Sequence, residues 1–238
     1  MILFTLFLQI LVFLIVLTVI YVAFAAIFFK SEIKSALERD PAAVCALEIL
    51  LAYSGFHAII IHKTAHALYK TGIPLIPRLI SQAGRHLTGV EIHPGAVIGK
   101  GLFIDHGMGV VIGETVIIGD NVTLFQGVTL GGTGEQKGKR HPTLGNNVVV
   151  GTGAKILGGI NIGDNVNVGA NAVVIRDIPP NSTVVGVPGR VAKKEGKKIP
   201  GINLDHTSLP DPLANSLKRL QCEIDKIEAE IKEWHKGK

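Results

Sequence analysis

VIGKGLFIDHGMGVVIGETVIIGDNVTLFQGVTLGG, residues 97–132, places an aliphatic residue at every sixth position in its regular parts: Ile98 and Ile104, then Ile112, Ile118, Leu124 and Leu130. The step resumes at Leu144 and runs through Val150, Ile156, Ile162, Val168 and Val174. A small residue or turn former follows most of these positions, as in the Ile-Gly pairs at 98, 112, 118 and 162. One buried aliphatic per six residues suits neither a helix nor a hairpin. It fits short strands joined by tight turns, three steps to a coil, each coil covering the aliphatic column of the next. Residues 89–192 are therefore read as a parallel β-helix of about five coils, which makes the chain mainly β. Periodicity alone does not give the hand of the solenoid.

The step breaks twice. Between Ile104 and Ile112 it is eight, beside Asp105-His106-Gly107-Met108-Gly109, and between Leu130 and Leu144 it is fourteen, which extrudes a loop over 131–141. A solenoid tolerates such excursions at its surface, and surface loops on a rigid scaffold are where chemistry concentrates. Each loop holds a histidine, His106 in one and His141 in the other.

The rest of the chain brackets this core. With 238 residues, 47% of them hydrophobic, there is room for one solenoid and its appendages. The net charge of +5 is scattered and forms no basic block interleaved with aromatics, so nucleic acid is not an expected partner. Lys137, Lys139 and Arg140 cluster in the extruded loop and suit an anionic small molecule. Cys45 and Cys222, far apart and without CxxC spacing, fit a reducing compartment rather than a disulfide framework or a zinc knuckle.

Residues 1–30 are read as a transmembrane anchor. The stretch 2–29 has no charged side chain, and a helix of that length rises about 42 Å, enough to cross a hydrocarbon core of about 30 Å. Lys30, Lys34 and Arg39 follow, which places the remainder in the cytoplasm, tethered to the inner face of the cell membrane. Ala23-Phe24-Ala25 resembles a signal-peptidase site, but a basic leading region is missing and the apolar run continues past it. Residues 31–88 read as helices, the first capped by Ser31 and punctuated at Ser54-Gly55, the second running from Phe56 to about Tyr69. His62 and His66 form an i, i+4 pair on the latter, yet no Glu or Cys stands at ligand spacing, so packing is the expected role and no metal is assigned. After a linker over 193–212, the segment 213–238 reads as a C-terminal helix. Its Leu217, Leu220, Ile224, Ile227, Ile231 and Trp234 form an a/d seam, and Ile at both positions favours trimers. Packing of that helix along the solenoid is the alternative.

Several segments in order resemble bacterial serine O-acetyltransferases, members of the hexapeptide-repeat acyltransferase superfamily: Arg39-Asp40-Pro41, Gly55-Phe56-His57-Ala58, Val90-Glu91-Ile92-His93-Pro94, Ile104-Asp105-His106-Gly107, Val111-Ile112-Gly113-Glu114-Thr115, Val128 to Gly134, and Arg140-His141-Pro142. The likeness spans about residues 35–192. It implies a left-handed parallel β-helix, a homotrimer with active sites between subunits, and transfer of acetyl from acetyl-CoA to L-serine, giving O-acetyl-L-serine for cysteine biosynthesis. It further implies His106 as general base, oriented by Glu91, where many members carry Asp. Asp40 and Asp105 would hold the serine ammonium, and Arg140 and His141 its carboxylate. Gly132, Ala154, Lys155, Ala170 and Arg190 are the candidates for CoA contacts. The family's longer helical N-terminal region is replaced here by the apolar segment, which speaks for a tethered trimer over a hexamer. Its usual terminal Ile, which enters the active site of O-acetylserine sulfhydrylase, gives way to Trp234-His235-Lys236-Gly237-Lys238, which speaks against that complex. Feedback inhibition by cysteine is a further family expectation.

Three other readings stand beside this one. A hexapeptide acetyltransferase acting on a sugar or another hydroxyl would share the repeats and His106 without needing Asp40, Asp105 and Arg140. A zinc carbonic anhydrase on the same solenoid would need three histidine ligands, of which His106 and His141 supply two. A non-catalytic membrane scaffold would keep the repeats and the seam alone.

Overall fold

The computed structural model of the chain describes residues 2–135, 137–194 and 220–227. Its centre is a prism of two- to four-residue parallel strands on three faces. On the first face Ile92, Ile112, Leu130, Ile156 and Val174 stand in register. On the second, Ile98, Ile118, Leu144 and Ile162 do so, and on the third, Ile104, Leu124, Val150, Val168 and Val184. The six-residue step thus moves the chain one face onward each time, and three steps return it to the same column one coil further on. Nearly all of these aliphatics are buried, each stabilising the stack by about 1.5–3 kcal/mol relative to exposure.

The turn formers also find a cause. At the corner between second and third faces, Asn121, Asn147, Asn165 and Asn181 all adopt φ between 55° and 57°, a left-handed conformation that Asn tolerates better than most residues. Asn147 Nδ2 donates to Asn165 Oδ1 at 3.1 Å, and Asn165 Nδ2 to Asn181 Oδ1 at 2.9 Å. The corner is therefore tied from coil to coil by side chains as well as by backbone.

Five helices precede the prism: α1 (Ile2–Phe28), α2 (Lys30–Arg39), α3 (Ala46–Ala52), α4 (Ser54–Lys70) and α5 (Ile76–Thr88). Two expectations are corrected here. Ser31 does not cap a helix, because the turn from α1 into α2 continues through Phe29 N–H to Ala25 O and Ile33 N–H to Phe29 O, with Ala25 and Phe29 buried; the Ser31 hydroxyl turns to Glu32 instead. The helix read as running to Ser54 is also broken, at Asp40-Pro41, since proline carries no N–H for the helical ladder. α2 is fastened to the prism by buried Arg39, which donates to Gly101 O, Val122 O and Thr123 Oγ1 at 3.1–3.2 Å. α4 starts hard against the third face, where a Cβ on Gly55 would collide with the Ile104 carbonyl. α5 ends on Gly89 at φ 74°, which turns the chain into the first strand. Of the C-terminal seam, residues 220–227 are helical, with Leu220, Ile224 and Ile227 exposed. Leu217, Ile231 and Trp234 lie outside the described residues.

Candidate active site

The first break in the repeat forms the corner between third and first faces. His106 sits there at φ 57°, its carbonyl accepting from Ser54 Oγ at 3.0 Å, and its imidazole is 73% exposed. Asp105 Oδ1 lies 3.9 Å from His106 Nε2, and the Asp105 side chain is mostly covered. Packing of α4 against Ile104 brings the Asp40–Pro41 turn and the end of α3 to this corner. Asp40, Ala52, Tyr53, Ser54, Gly55, Ile104, Asp105 and His106 together line a cavity of about 320 Å³.

Asp40 is held there from two sides. Its Oδ1 accepts from Ala42 N–H at 2.8 Å and its Oδ2 from the Tyr53 hydroxyl at 2.6 Å. Burial, then the hydrogen bond to Asp40, push the Tyr53 phenol far above its usual range, so it stays a donor at any physiological pH. Sequence reasoning did not select Tyr53 or Ser54. The only signal was their place beside Gly55-Phe56-His57-Ala58.

The second break forms the corner between first and second faces. Arg140 Nη2 pairs with Glu114 Oε2. The backbone N–H groups of Arg140 and His141 both donate to Thr115 Oγ1 at 3.2 Å, and that hydroxyl lies 2.9 Å from His141 Nδ1. Thr115 N–H also points at Nδ1, at 3.3 Å. With Nδ1 accepting, the neutral ring carries its proton on Nε2. Burial first, then the Arg140 charge, lower the His141 pKa and favour that neutral form. Gly113 leaves the space the ring fills, since a Cβ there would overlap it. Lys139 Nζ ties the loop down through Thr115 O at 2.7 Å. Glu114 and Thr115 were not assigned roles from sequence, and Lys139, read there as part of a cluster for an anionic small molecule, spends its Nζ on the Thr115 and Pro142 carbonyls.

The remaining candidates are spread over the prism. Glu91 leads the first strand, and its carboxylate is taken by Arg78 at 3.2 Å and Arg85 at 3.3 Å; no hydrogen bond joins it to His106. Gly132 lies against Arg140 and His141. Lys155, Ala170 and Arg190 are exposed. Ala154 is fully buried, and its N–H and C=O are spent on Gly151 O and Thr129 N–H, so it offers a ligand no free group. Among the described residues, no group of three or more His, Cys, Asp and Glu is arranged to hold a metal.

Comparison with known proteins fits this geometry. The bacterial transferase hexapeptide model (six repeats) matches residues 141–176. A serine acetyltransferase of Synechococcus elongatus is 55% identical over 84% of this chain and 80% of its own length. The chain belongs to the serine acetyltransferase family. Among solved structures, the serine acetyltransferase of Neisseria gonorrhoeae in complex with serine is 43% identical, with a TM-score of 0.66 over 68% of this chain and 66% of that one. The Brucella abortus enzyme in complex with coenzyme A is 41% identical, with a TM-score of 0.69 over 71% and 68%. As in this family, the solenoid is a left-handed parallel β-helix, an exception to the usual right-handed crossover.

Proposed function

We propose that the protein transfers acetyl from acetyl-CoA to the hydroxyl of L-serine, with His106 as general base. The observation that carries this reading is one cavity holding an exposed imidazole beside two carboxylates, Asp40 and Asp105. His106 takes the hydroxyl proton as the serine oxygen attacks the thioester carbonyl. The tetrahedral adduct then expels the CoA thiolate, and the imidazolium returns the proton to sulfur, a role worth about 10² to 10⁴ in rate. Asp40 and Asp105 hold the substrate ammonium, and Asp105 also faces the imidazolium at the moment it forms. Glu91, engaged by Arg78 and Arg85, supports the corner from the strand below.

The serine carboxylate goes to Arg140 and His141, and these belong to another copy of the chain. In one protomer the two clusters occupy opposite edges of the first face, with residues 109–113 between them, roughly 13 Å at about 3.3 Å per extended residue. Serine spans a fraction of that. A homotrimer that sets the first-break corner of one copy against the second-break corner of the next unites them, and the exposed charges of Lys155 and Arg190 then suit the CoA phosphates.

α1 is proposed to tether this trimer to the membrane, with the catalytic body in the cytoplasm. Phe4–Phe28 has a mean hydropathy of 3.1 and is almost wholly unburied. The burial of Ala25 supports retention of the segment, since a peptidase acting after Ala25 would cut through the packed turn.

The test is thiol release from acetyl-CoA with L-serine, L-threonine or a sugar as acceptor, in wild type and His106→Ala. Serine-dependent release lost in the variant is expected. Release that favours the sugar would reassign the acceptor, and an unaffected variant would remove His106 from the mechanism.

A further inference from the structure

We propose that α3 lies in the membrane surface: its exposed Leu47 and Leu51, with Val44 in the segment that leads into it, are immersed at the acyl-chain boundary of the bilayer that α1 spans. The proposal rests on reading α1 as a membrane span.

α1 meets the body side-on and well before its own end. Tyr21 OH donates to Leu50 O at 3.2 Å, the Tyr21 and His57 rings meet edge to face at 6.3 Å, and Ala25 and Phe29 are buried in the core. α3 is thereby fixed at the level of Tyr21. From Ile2 to Tyr21 a helix rises roughly 28 Å, just short of a hydrocarbon core of about 30 Å.

The outward side of α1 says how far the bilayer reaches. Phe24, Ile27 and Phe28 remain exposed after Tyr21, and the first charge is the exposed Lys30. Covering those three residues draws the apolar boundary about 10 Å further along the helix, a depth typical of interfacial helices. Anything standing beside Tyr21 at the same depth is then immersed as well.

α3 is built for that position. Leu47 and Leu51, one turn apart, are 52% and 49% exposed, and Val44, just before the helix, is 84% exposed, while Ile49 and Leu50 on the opposite side are buried. The one charged side chain on the helix, Glu48, turns along it to accept the Val44 N–H at 2.9 Å. α3 runs directly into Ala52 and Tyr53, which line the cavity, so the membrane contact is continuous with the wall of the active site.

Cys45, exposed and without a side-chain hydrogen bond at the start of α3, supplies the probe. Full-length protein carrying Cys222→Ser is labelled at Cys45 with an environment-sensitive fluorophore and reconstituted into phosphatidylcholine vesicles, with and without brominated acyl chains. A control carries the label at Arg176→Cys, in the last coil, with both native cysteines replaced by serine. Blue-shifted emission from Cys45, quenched several-fold by brominated lipid and unmatched by the control, is expected. Water-like, unquenched emission in protein that floats with the vesicles would overturn the proposal and leave the tether standing. Blue-shifted but unquenched emission would overturn it in favour of a second protein copy on these residues. Protein that fails to float would remove the tether, and this proposal with it.

Discussion

Two inactive variants should restore each other. His106→Ala empties the base from the first-break corner, and Arg140→Ala removes the carboxylate partner from the second. If one active site draws its first corner from one copy and its second from the neighbour, a mixed trimer contains seams where both corners are native. With equal, random mixing, a seam is intact when an Arg140→Ala chain supplies His106 and a His106→Ala chain supplies Arg140, which is about one seam in four for a cyclic trimer. Each variant alone should fall by about 10² or more, because the base and the bidentate anchor act at the reacting serine. Co-assembled from denaturant or by co-expression, the mixture should therefore recover roughly a quarter of the wild-type rate of serine-dependent thiol release. The double variant carrying both changes in one chain, mixed with wild type, corrects for simple dilution. Recovery no greater than the sum of the separate variants, in trimers shown to be mixed, would refute the division of the site between copies.

Other consequences follow from single contacts. Tyr53→Phe removes a 2.6 Å bond to the Asp40 carboxylate; since bonds to charged groups are worth about 1.5–3 kcal/mol, kcat/KM for serine should fall roughly ten- to a hundredfold while KM for acetyl-CoA stays put. Equal losses for both substrates would point to a folding defect instead. Gly113→Ala pushes a methyl into the His141 ring, and the displaced ring should cost on the order of a hundredfold in serine turnover with an unchanged melting temperature; wild-type kinetics would show that His141 does not touch substrate. Buried His62 has its pKa lowered to about 3, by burial first and then by His66, Lys63 and His93. The unfolded chain therefore binds the extra proton below about pH 6.5, and the stability His62 allows at neutral pH is lost as pH falls from there, at roughly 1.4 kcal/mol per pH unit. Denaturant melts should lose one proton of that slope in His62→Phe, and an unchanged slope would clear His62 of acid sensitivity.

The prism was legible because its signal is redundant. A dozen aliphatics repeat the same step, and each break can only be a corner loop, so His106, Arg140 and His141 stood out before any contact was known. The helices were less legible because tertiary packing overrode local cues. Ser31 looked like a cap, yet burial of Ala25 and Phe29 carries the helical turn past it. Tyr53 was hidden because its bond to Asp40 spans 13 residues and depends on how α3 folds back. The partners of Glu91 were half visible: Arg78 and Arg85 are seven apart on α5, hence on one side of it, but nothing in the pattern says that this side faces the first strand.

The proposed division of the site between corners of two copies also has an electrostatic logic. Were Arg140 beside Asp40 and Asp105 within one chain, the guanidinium and the carboxylates would satisfy each other and leave an amino acid nothing to displace cheaply. Set on different corners, the acidic half keeps Asp40 on an amide and a phenol, donors that fix its position without cancelling its charge. The basic half keeps Arg140 on half-buried Glu114, one carboxylate where the acidic corner would have set two, which leaves the guanidinium's remaining N–H donors for a substrate carboxylate. In the proposed trimer a zwitterion would fit the seam in one orientation, ammonium to the first corner and carboxylate to the second, and that orientation would deliver the hydroxyl to His106. A sugar has no such pair of charges to offer. On the proposed trimer, discrimination between acceptors would live in the gap between copies, and a protomer alone, however well folded, would hold only half of it.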